Sequence, residues 1–228
     1  MLMKAVLFDF GGTIDTNGVH WSERFWEYYQ RFGIRVEKRE FEKAFVKADV
    51  EILNNNLSRA TFKRILELQL SSQFDILNLS QDPALLKNFL FECYSDTKSV
   101  IGEAARLLAD IKKRYKLALV SNFYGNLDVV CKEFGLEEIF DVTVDSEIVK
   151  VRKPDPKIFG IALEKLGIEA GQAYVIGDSY DRDIVPGKEL GCKTIWLKGK
   201  SWKEEPRSEA ADSIISFFEG LRNILLSL

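Results

Sequence analysis

The sequence contains few residues of the types that form disulfide frameworks, zinc sites or histidine-based active sites. Its 228 residues include three cysteines (Cys93, Cys131 and Cys192) and one histidine, His20. The cysteines are odd in number, widely spaced and set among apolar neighbours, which predicts reduced core thiols rather than disulfides or a metal site. A catalytic Cys-His pair is disfavoured for the same reason.

The chain also lacks blocks of one charge and long apolar runs. Its 32 Lys and Arg residues are interspersed with 35 Asp and Glu residues, so there is no basic stretch of the kind that a nucleic-acid partner demands. No apolar stretch approaches membrane-spanning length, and the apolar start at residues 1–10 contains Lys4 and no signal-peptide cleavage region. We therefore expect a cytoplasmic protein with no nucleic-acid or membrane partner.

Short aliphatic or β-branched runs alternate with helical patterns along most of the chain. This alternation predicts buried parallel strands joined by helices, the pattern of a doubly wound α/β sheet. Strands are predicted at residues 5–8, 117–120, 142–144, 174–176 and 194–197. Helices are predicted at residues 104–115, 127–134, 156–166 and 183–190.

One stretch of roughly eighty residues, 21–98, interrupts this alternation because it has helical periodicity and no convincing strand. It predicts an all-helical insert, with helices at residues 21–32, 38–53 and 59–70. The first of these is rich in aromatic residues, which we expect to form the core of the insert. The predicted division is therefore a core domain of residues 1–15 and 99–228 and a helical domain of residues 16–98.

Polar motifs follow four of the predicted elements. Asp9-Phe10-Gly11-Gly12-Thr13 comes where the first strand ends, and the carboxyl ends of parallel strands form the ligand crevice of an open sheet. The N–H groups of Gly11 and Gly12 could cradle an anion there. Alone, an Asp before two glycines is more often a turn.

The other three motifs carry a hydroxyl, an ammonium group and a pair of carboxylates. Ser121-Asn122 follows the next strand, Lys153 stands in a Pro-containing loop before a helix, and Gly177-Asp178-Ser179 precedes Asp183. Converging carboxylates suit a hard cation such as magnesium. Taken singly, Ser121-Asn122 is better explained as a helix cap and Lys153 as a solvated surface lysine, and Asp183 could be only a helix N-terminal acid. Their order at successive strand ends favours a common site.

In these motifs the chain resembles the haloacid dehalogenase (HAD) superfamily over residues 2–15 and about 99–197, with the insert at the place of a helical C1-type cap. The resemblance implies a Rossmannoid core and a catalytic Asp9 that becomes an aspartyl-phosphate, assisted by Ser121 and Lys153. It implies a Mg²⁺ ion bound by Asp9, Asp178, Asp183 and the carbonyl of Gly11. The implied phosphate-binding residues are Gly11, Gly12, Ser121, Asn122 and Lys153.

Position 11 departs from the family pattern, because phosphatases of this superfamily usually carry a second Asp there to protonate the leaving group. The chain has Gly11, which removes a contribution of about 100- to 10,000-fold in rate. His20 and Asp15 are candidate substitutes for this acid or base. The alternatives are that His20 caps the helix or contacts the hinge of the cap, and that Asp15 is a polar hinge residue.

The leading hypothesis is a Mg²⁺-dependent phosphatase that acts on a small phosphorylated metabolite. The alternative is a phosphate-binding or regulatory module that has lost turnover. A dehalogenase is weaker because the chain retains Asp178, which dehalogenases of the superfamily lack, and a phosphonatase is weaker because no lysine of the insert stands in a recognisable motif. The sequence leaves open the substrate, the residues of the insert that select it and the oligomeric state.

Overall fold

The computed structural model describes residues 2–80, 82–201 and 209–227 of the chain. In these residues six parallel strands form one sheet in the order β3-β2-β1-β4-β5-β6, which confirms the predicted doubly wound fold. The strands are β1 (Ala5–Phe8), β2 (Lys116–Ser121), β3 (Val142–Asp145), β4 (Ala173–Gly177), β5 (Lys193–Leu197) and β6 (Ser213–Ile215). The first five were predicted to within about a residue. The short edge strand β6 was not predicted, because three residues with an exposed Ile214 show no clear period.

Eight α-helices are present in the described residues, and most of them match the helical patterns. They are α1 (Trp21–Arg31), α2 (Lys38–Leu53), α3 (Phe62–Ile76), α4 (Pro83–Lys112), α5 (Leu127–Glu133), α6 (Ser146–Val149), α7 (Lys157–Leu166) and α8 (Val185–Glu189). The helix predicted at 59–70 begins later because Thr61 is its N-cap and accepts a hydrogen bond from the Arg64 N–H. The helix predicted at 183–190 is a π-helical turn, Tyr180–Ile184, followed by α8.

Helix α4 crosses the predicted domain boundary between residues 98 and 99 without a break. Its 30 residues bury one continuous face at spacings of three and four residues. That face begins in the insert and ends beneath the sheet, at Phe89, Cys93, Thr97, Ile101, Ala104, Leu108 and Ile111. Residues 16–98, the predicted insert, are called the cap below, and their described part contains helices and no strand.

The two faces of the sheet are covered by different parts of the chain. In β1, Val6 and Phe8 belong to an apolar cluster that continues into the cap, whereas Ala5 and Leu7 face a second cluster built with α7. Phe25, Tyr28 and Tyr29 of α1 are buried, which confirms that these cap aromatics form a core. None of the helices in the described part of the chain has the length and apolar content needed to cross a membrane.

The cysteines are structural. Cys93, Cys131 and Cys192 are free and buried, as predicted for core thiols. Burial raises the pKa of Cys131 to about 12 and that of Cys192 to about 11, so both thiols stay protonated near neutral pH.

Candidate active site

Asp9 lies at the point where the strand order of the sheet reverses. It directly follows β1, and its N–H donates to the carbonyl of Ile176 in the adjacent strand β4 at 2.9 Å. Since β1 is paired with β2 on one side and β4 on the other, residues that follow these three strands meet at one edge of the sheet. Asp9 is buried there, with 5% of the residue exposed.

Lys153 connects two carboxylates of this edge. Its ammonium group donates to Oδ1 of Asp9 and, at 2.6 Å, to Oδ1 of Asp183. Burial alone would lower the pKa of Lys153, but the charges of Asp183 and Asp9 raise it above its ordinary value, so the ammonium group is retained. The sequence-predicted Asp9, Lys153 and Asp183 are therefore in direct contact.

Asn122 holds the backbone of Lys153 in place. Its side-chain NH₂ donates to the Lys153 carbonyl at 3.0 Å, and its side-chain oxygen accepts from the Lys153 N–H at 2.8 Å. The structure thus gives this side chain a positioning task that the sequence prediction, which assigned Asn122 to phosphate, did not include. Ser121, the last residue of β2, donates from its hydroxyl to Oδ1 of Asp9 at 3.3 Å.

Thr13 is a site residue for which the sequence prediction gave no role, although it belongs to the first motif. Its hydroxyl donates to Oδ2 of Asp9 at 3.1 Å and accepts from the N–H of Asp178 at 3.0 Å. A single hydroxyl therefore ties the loop after β1 to the loop after β4. Its place within Asp9-Phe10-Gly11-Gly12-Thr13 was the only signal in the sequence.

Trp196 is a second contributor without an earlier prediction. This fully buried residue of β5 donates from its indole N–H to the carbonyl of Asp178 at 2.9 Å. The backbone of Asp178 is consequently held from both sides, by Thr13 at the N–H and by Trp196 at the carbonyl. A tryptophan in a strand is ordinarily explained by packing, so the sequence gave no reason to assign it here.

Three carboxylates, those of Asp9, Asp178 and Asp183, form an acidic cluster in which one oxygen atom from each lies within 4.8 Å of the other two. Burial and the charges of Asp9 and Asp183 hold the pKa of Asp178 well above its usual range, and burial also raises the pKa of Asp183. Groups that resist being charged together become fully ionised when a cation binds between them. An all-oxygen donor set of this kind fits a hard divalent ion such as Mg²⁺.

The glycines of the site permit close approach between its two main loops. Gly12 has a φ of +92°, and a Cβ built on it would lie 2.3 Å from a carboxylate oxygen of Asp178. A Cβ on Gly177 would lie equally close to the carboxylate of Asp183. Both residues are therefore required by the packing of backbone against the acidic cluster.

We expect Gly12→Ala to weaken Mg²⁺ binding by about tenfold or more, because its methyl group would displace the Asp178 carboxylate. Gly33→Ala is the matched control: its φ is also positive, +66°, but no atom lies within 4 Å of its Cβ position. Both variants should lose about 1–2 kcal/mol of unfolding free energy through the left-handed backbone. Urea unfolding measures the loss of stability, and calorimetric Mg²⁺ titration measures the loss of affinity. Equal Mg²⁺ affinities in Gly12→Ala and Gly33→Ala would contradict the prediction that the acidic cluster binds the ion.

The two candidate substitutes for an acid at position 11 have different surroundings. His20 is the N-cap of α1: its Nδ1 accepts from the Ser22 N–H at 3.2 Å and contacts the Ser22 hydroxyl at 2.7 Å. Asp15 is buried, and its two oxygens accept from the Gly12 N–H and the Trp21 indole N–H, each at 2.7 Å. Burial raises the pKa of Asp15 to about 7.

The fold and the site together define a Rossmann-like α/β protein whose buried Asp-Lys-Asp constellation lies at the switch point of the sheet. The family model of the haloacid dehalogenase-like hydrolases matches residues 3–191. The chain therefore belongs to this family of hydrolases, as the resemblance of its motifs predicted.

Individual relatives agree with this membership. Pyrimidine 5'-nucleotidase YjjG of Escherichia coli is 30% identical over 149 residues, which are 64% of the chain and 66% of that protein. Glyceraldehyde 3-phosphate phosphatase of Methanocaldococcus jannaschii is 35% identical over 95 residues, 41% of each chain. The matches thus span between two fifths and two thirds of these relatives' lengths. The fold is shared with the magnesium-bound hydrolase YfnB of Bacillus subtilis, with a TM-score of 0.62, 19% identity and 99% coverage of both chains.

Proposed function

We propose that this protein is a Mg²⁺-dependent phosphatase that hydrolyses a small phosphorylated metabolite through an aspartyl-phosphate at Asp9. The observation that carries the proposal is the contact of the buried Lys153 ammonium group with both Asp9 and Asp183 beside Asp178. A purely structural ion pair would not require a third carboxylate, the partly buried Asp178, at the same strand ends. The names of the two relatives above, a nucleotidase and a sugar-phosphate phosphatase, support a phosphate monoester as substrate.

In the proposed reaction a carboxylate oxygen of Asp9 attacks phosphorus, and the bond between phosphorus and the leaving oxygen breaks. Water then hydrolyses the aspartyl-phosphate and restores the carboxylate. A divalent cation held by Asp9, Asp178 and Asp183 would neutralise negative charge on the substrate and the cluster. Lys153 keeps Asp9 oriented and presents a positive charge to the transferring group, and the Ser121 hydroxyl, 3.3 Å from Asp9, is a further donor.

Of the other predicted phosphate ligands, Gly11 is the one we propose to offer its N–H directly. The Gly12 N–H is already bonded to Asp15, and the Asn122 side chain is bonded to the backbone of Lys153. The carbonyl of Gly11 remains the proposed fourth protein ligand of the cation, since that bond needs no side chain.

We propose that neither His20 nor Asp15 takes the place of the absent acid at position 11. His20 uses its Nδ1 in the helix cap, and both oxygens of Asp15 accept hydrogen bonds within the loop. Leaving groups that need no protonation, such as acyl or aryl phosphates, are then the preferred substrates. Hydrolysis of the phosphorylated Asp9 is slow for the same reason, so the intermediate accumulates.

Comparing the wild type with Gly11→Asp tests this proposal. A Cβ at position 11 has room, because its nearest neighbour, Trp21 Cδ1, is 3.9 Å away. With Mg²⁺, we expect the wild type to release one leaving group per enzyme in a burst on aryl phosphates. The variant should turn over alkyl phosphates about 100-fold faster and show no burst. A phosphate-ester panel with Mg²⁺ or with EDTA, analysed by rapid-quench kinetics, provides the measurement.

Gly160→Asp is the matched control, because it adds the same carboxylate on α7 at a position with no atom within 4 Å of the Cβ. It should behave as the wild type. Absence of both burst and turnover in the wild type and in Gly11→Asp would remove the enzymatic proposal. If calorimetry then shows Mg²⁺-dependent binding of inorganic phosphate, the protein is a phosphate-binding module. The absence of an acid at position 11 is the feature that favours this alternative.

A further inference from the structure

Trp21 connects the cap to the loop that carries Asp9. It is the first residue of α1, and its ring packs on two cap residues, with centroid distances of 5.8 Å to Phe25 and 5.7 Å to Phe62. The same ring lies beside Gly11, because its Cδ1 is the atom nearest to the Cβ position of that glycine. Trp21 thus occupies part of the space next to the missing side chain.

A chain of contacts leads from this ring to the acidic cluster. The Trp21 indole N–H donates to Oδ2 of Asp15, and Oδ1 of Asp15 accepts from the N–H of Gly12, both at 2.7 Å. The Cα of Gly12 in turn abuts the Asp178 carboxylate, since a Cβ added there would overlap it. Every link is a direct contact, and Asp15 at its centre is 1% exposed.

We infer that Trp21 is a positioning residue that fixes the Asp9 loop through Asp15 and Gly12. The inference rests on the proposed function for its kinetic part. The physical reason is that a buried carboxylate with two donors has one preferred orientation, and that this orientation sets the direction of the Gly12 N–H. Loss of the indole donor leaves Asp15 with one of these two donors, so that the carboxylate and Gly12 can both shift.

The experiment uses Trp21→Phe, which keeps an aromatic ring in the cap but removes the N–H. Trp26→Phe is the matched control, because Trp26 lies on the same helix and packs on Phe41, with a centroid distance of 5.2 Å. Asp15→Asn breaks the chain of contacts at its centre, because an amide presents an oxygen to only one of the two N–H donors. It provides a second test that leaves the aromatic packing unchanged.

We expect kcat for an aryl phosphate to fall about 10- to 100-fold in Trp21→Phe and Asp15→Asn, with KM changed less than about twofold. The double variant should lose no more than Asp15→Asn alone, because both substitutions break one chain of contacts. Mg²⁺ affinity, measured by calorimetry without substrate, should weaken by about tenfold in the same variants. Trp26→Phe should match the wild type in all three measurements.

Equal kcat and equal Mg²⁺ affinity in Trp21→Phe and Trp26→Phe would overturn the inference. Additive losses in the double variant, or a raised KM with unchanged kcat, would also overturn it, the latter by making Trp21 a substrate contact. If the wild type has no turnover and no burst, the proposed function fails by itself. The Mg²⁺ affinities of the wild type and the four variants then still decide whether Trp21 positions the loop.

Discussion

Replacing Asp9 by Asn is expected to abolish both the burst and the steady-state release of phosphate. The amide is isosteric with the carboxylate but is not a nucleophile, and removal of a covalent nucleophile costs a hydrolase on the order of 10⁴- to 10⁶-fold in kcat. The fold should survive, because Lys153 keeps its ion pair with Asp183 and one negative charge leaves a crowded cluster. Rapid-quench assays and acid precipitation of labelled phosphoenzyme measure the loss.

Asp181→Asn is the matched control for this prediction. Asp181 lies in the Tyr180–Ile184 turn between the two acidic residues that follow β4, yet it is exposed and outside the acidic cluster. Its substitution should leave kcat within about twofold of the wild-type value, as is usual for surface changes. Phosphoenzyme formation that persists in Asp9→Asn would show that another group accepts the phosphate.

The second large effect is expected for Lys153→Met, which removes the ammonium group and keeps an unbranched side chain that is one atom shorter. Asp9 and Asp183 would then lack their cation in a buried site, a change that costs about 3–5 kcal/mol of unfolding free energy. The kcat value should fall about 100- to 1,000-fold, because a fixed donor at the transferring phosphate is lost. Urea unfolding in EDTA and steady-state kinetics with Mg²⁺ measure the two losses separately.

Lys157→Met supplies the comparison, since Lys157 is an exposed lysine at the start of α7, four residues further along the chain. Lys157→Met should change the unfolding free energy by no more than about 0.5 kcal/mol, as surface substitutions usually do, and should leave kcat unchanged. A Lys153→Met protein as stable and as active as this control would mean that the lysine is dispensable, and the proposed mechanism would have to be abandoned.

The core fold could be predicted because its signals are local and repeated. The strands are short apolar runs bounded by polar residues, and in β1 all four residues are buried, as a central parallel strand requires. Asp9, Ser121, Lys153, Asp178 and Asp183 could be proposed as one site because each follows a strand or precedes a helix. The parallel sheet then brings their side chains to one edge.

The contacts that support the site could not be predicted in the same way. The bonds from Thr13 to Asp9, from Trp196 to Asp178 and from Trp21 to Asp15 depend on side-chain directions that no spacing along the chain encodes. The pKa of Asp15 follows from burial, which is a property of the assembled cap and core. The length of α4 could not be predicted either, because helical periodicity continues through residue 98 and marks no domain boundary there.

The uninterrupted α4 limits how the cap can be displaced from the sheet. A 30-residue helix is a rod of about 45 Å, and it holds its hydrogen-bonded backbone straight unless a residue weakens it. Any movement of the cap away from the sheet must therefore bend this rod or unwind one of its turns. The other connection between sheet and cap, the segment from Asp15 to the start of α1 at Trp21, would move with it. Gly102 has the lowest helix propensity in α4 apart from the proline at its start, and no atom within 4 Å of its Cβ position explains it by packing. The natural place for such a bend is thus just past residue 98, on the sheet side of the cap.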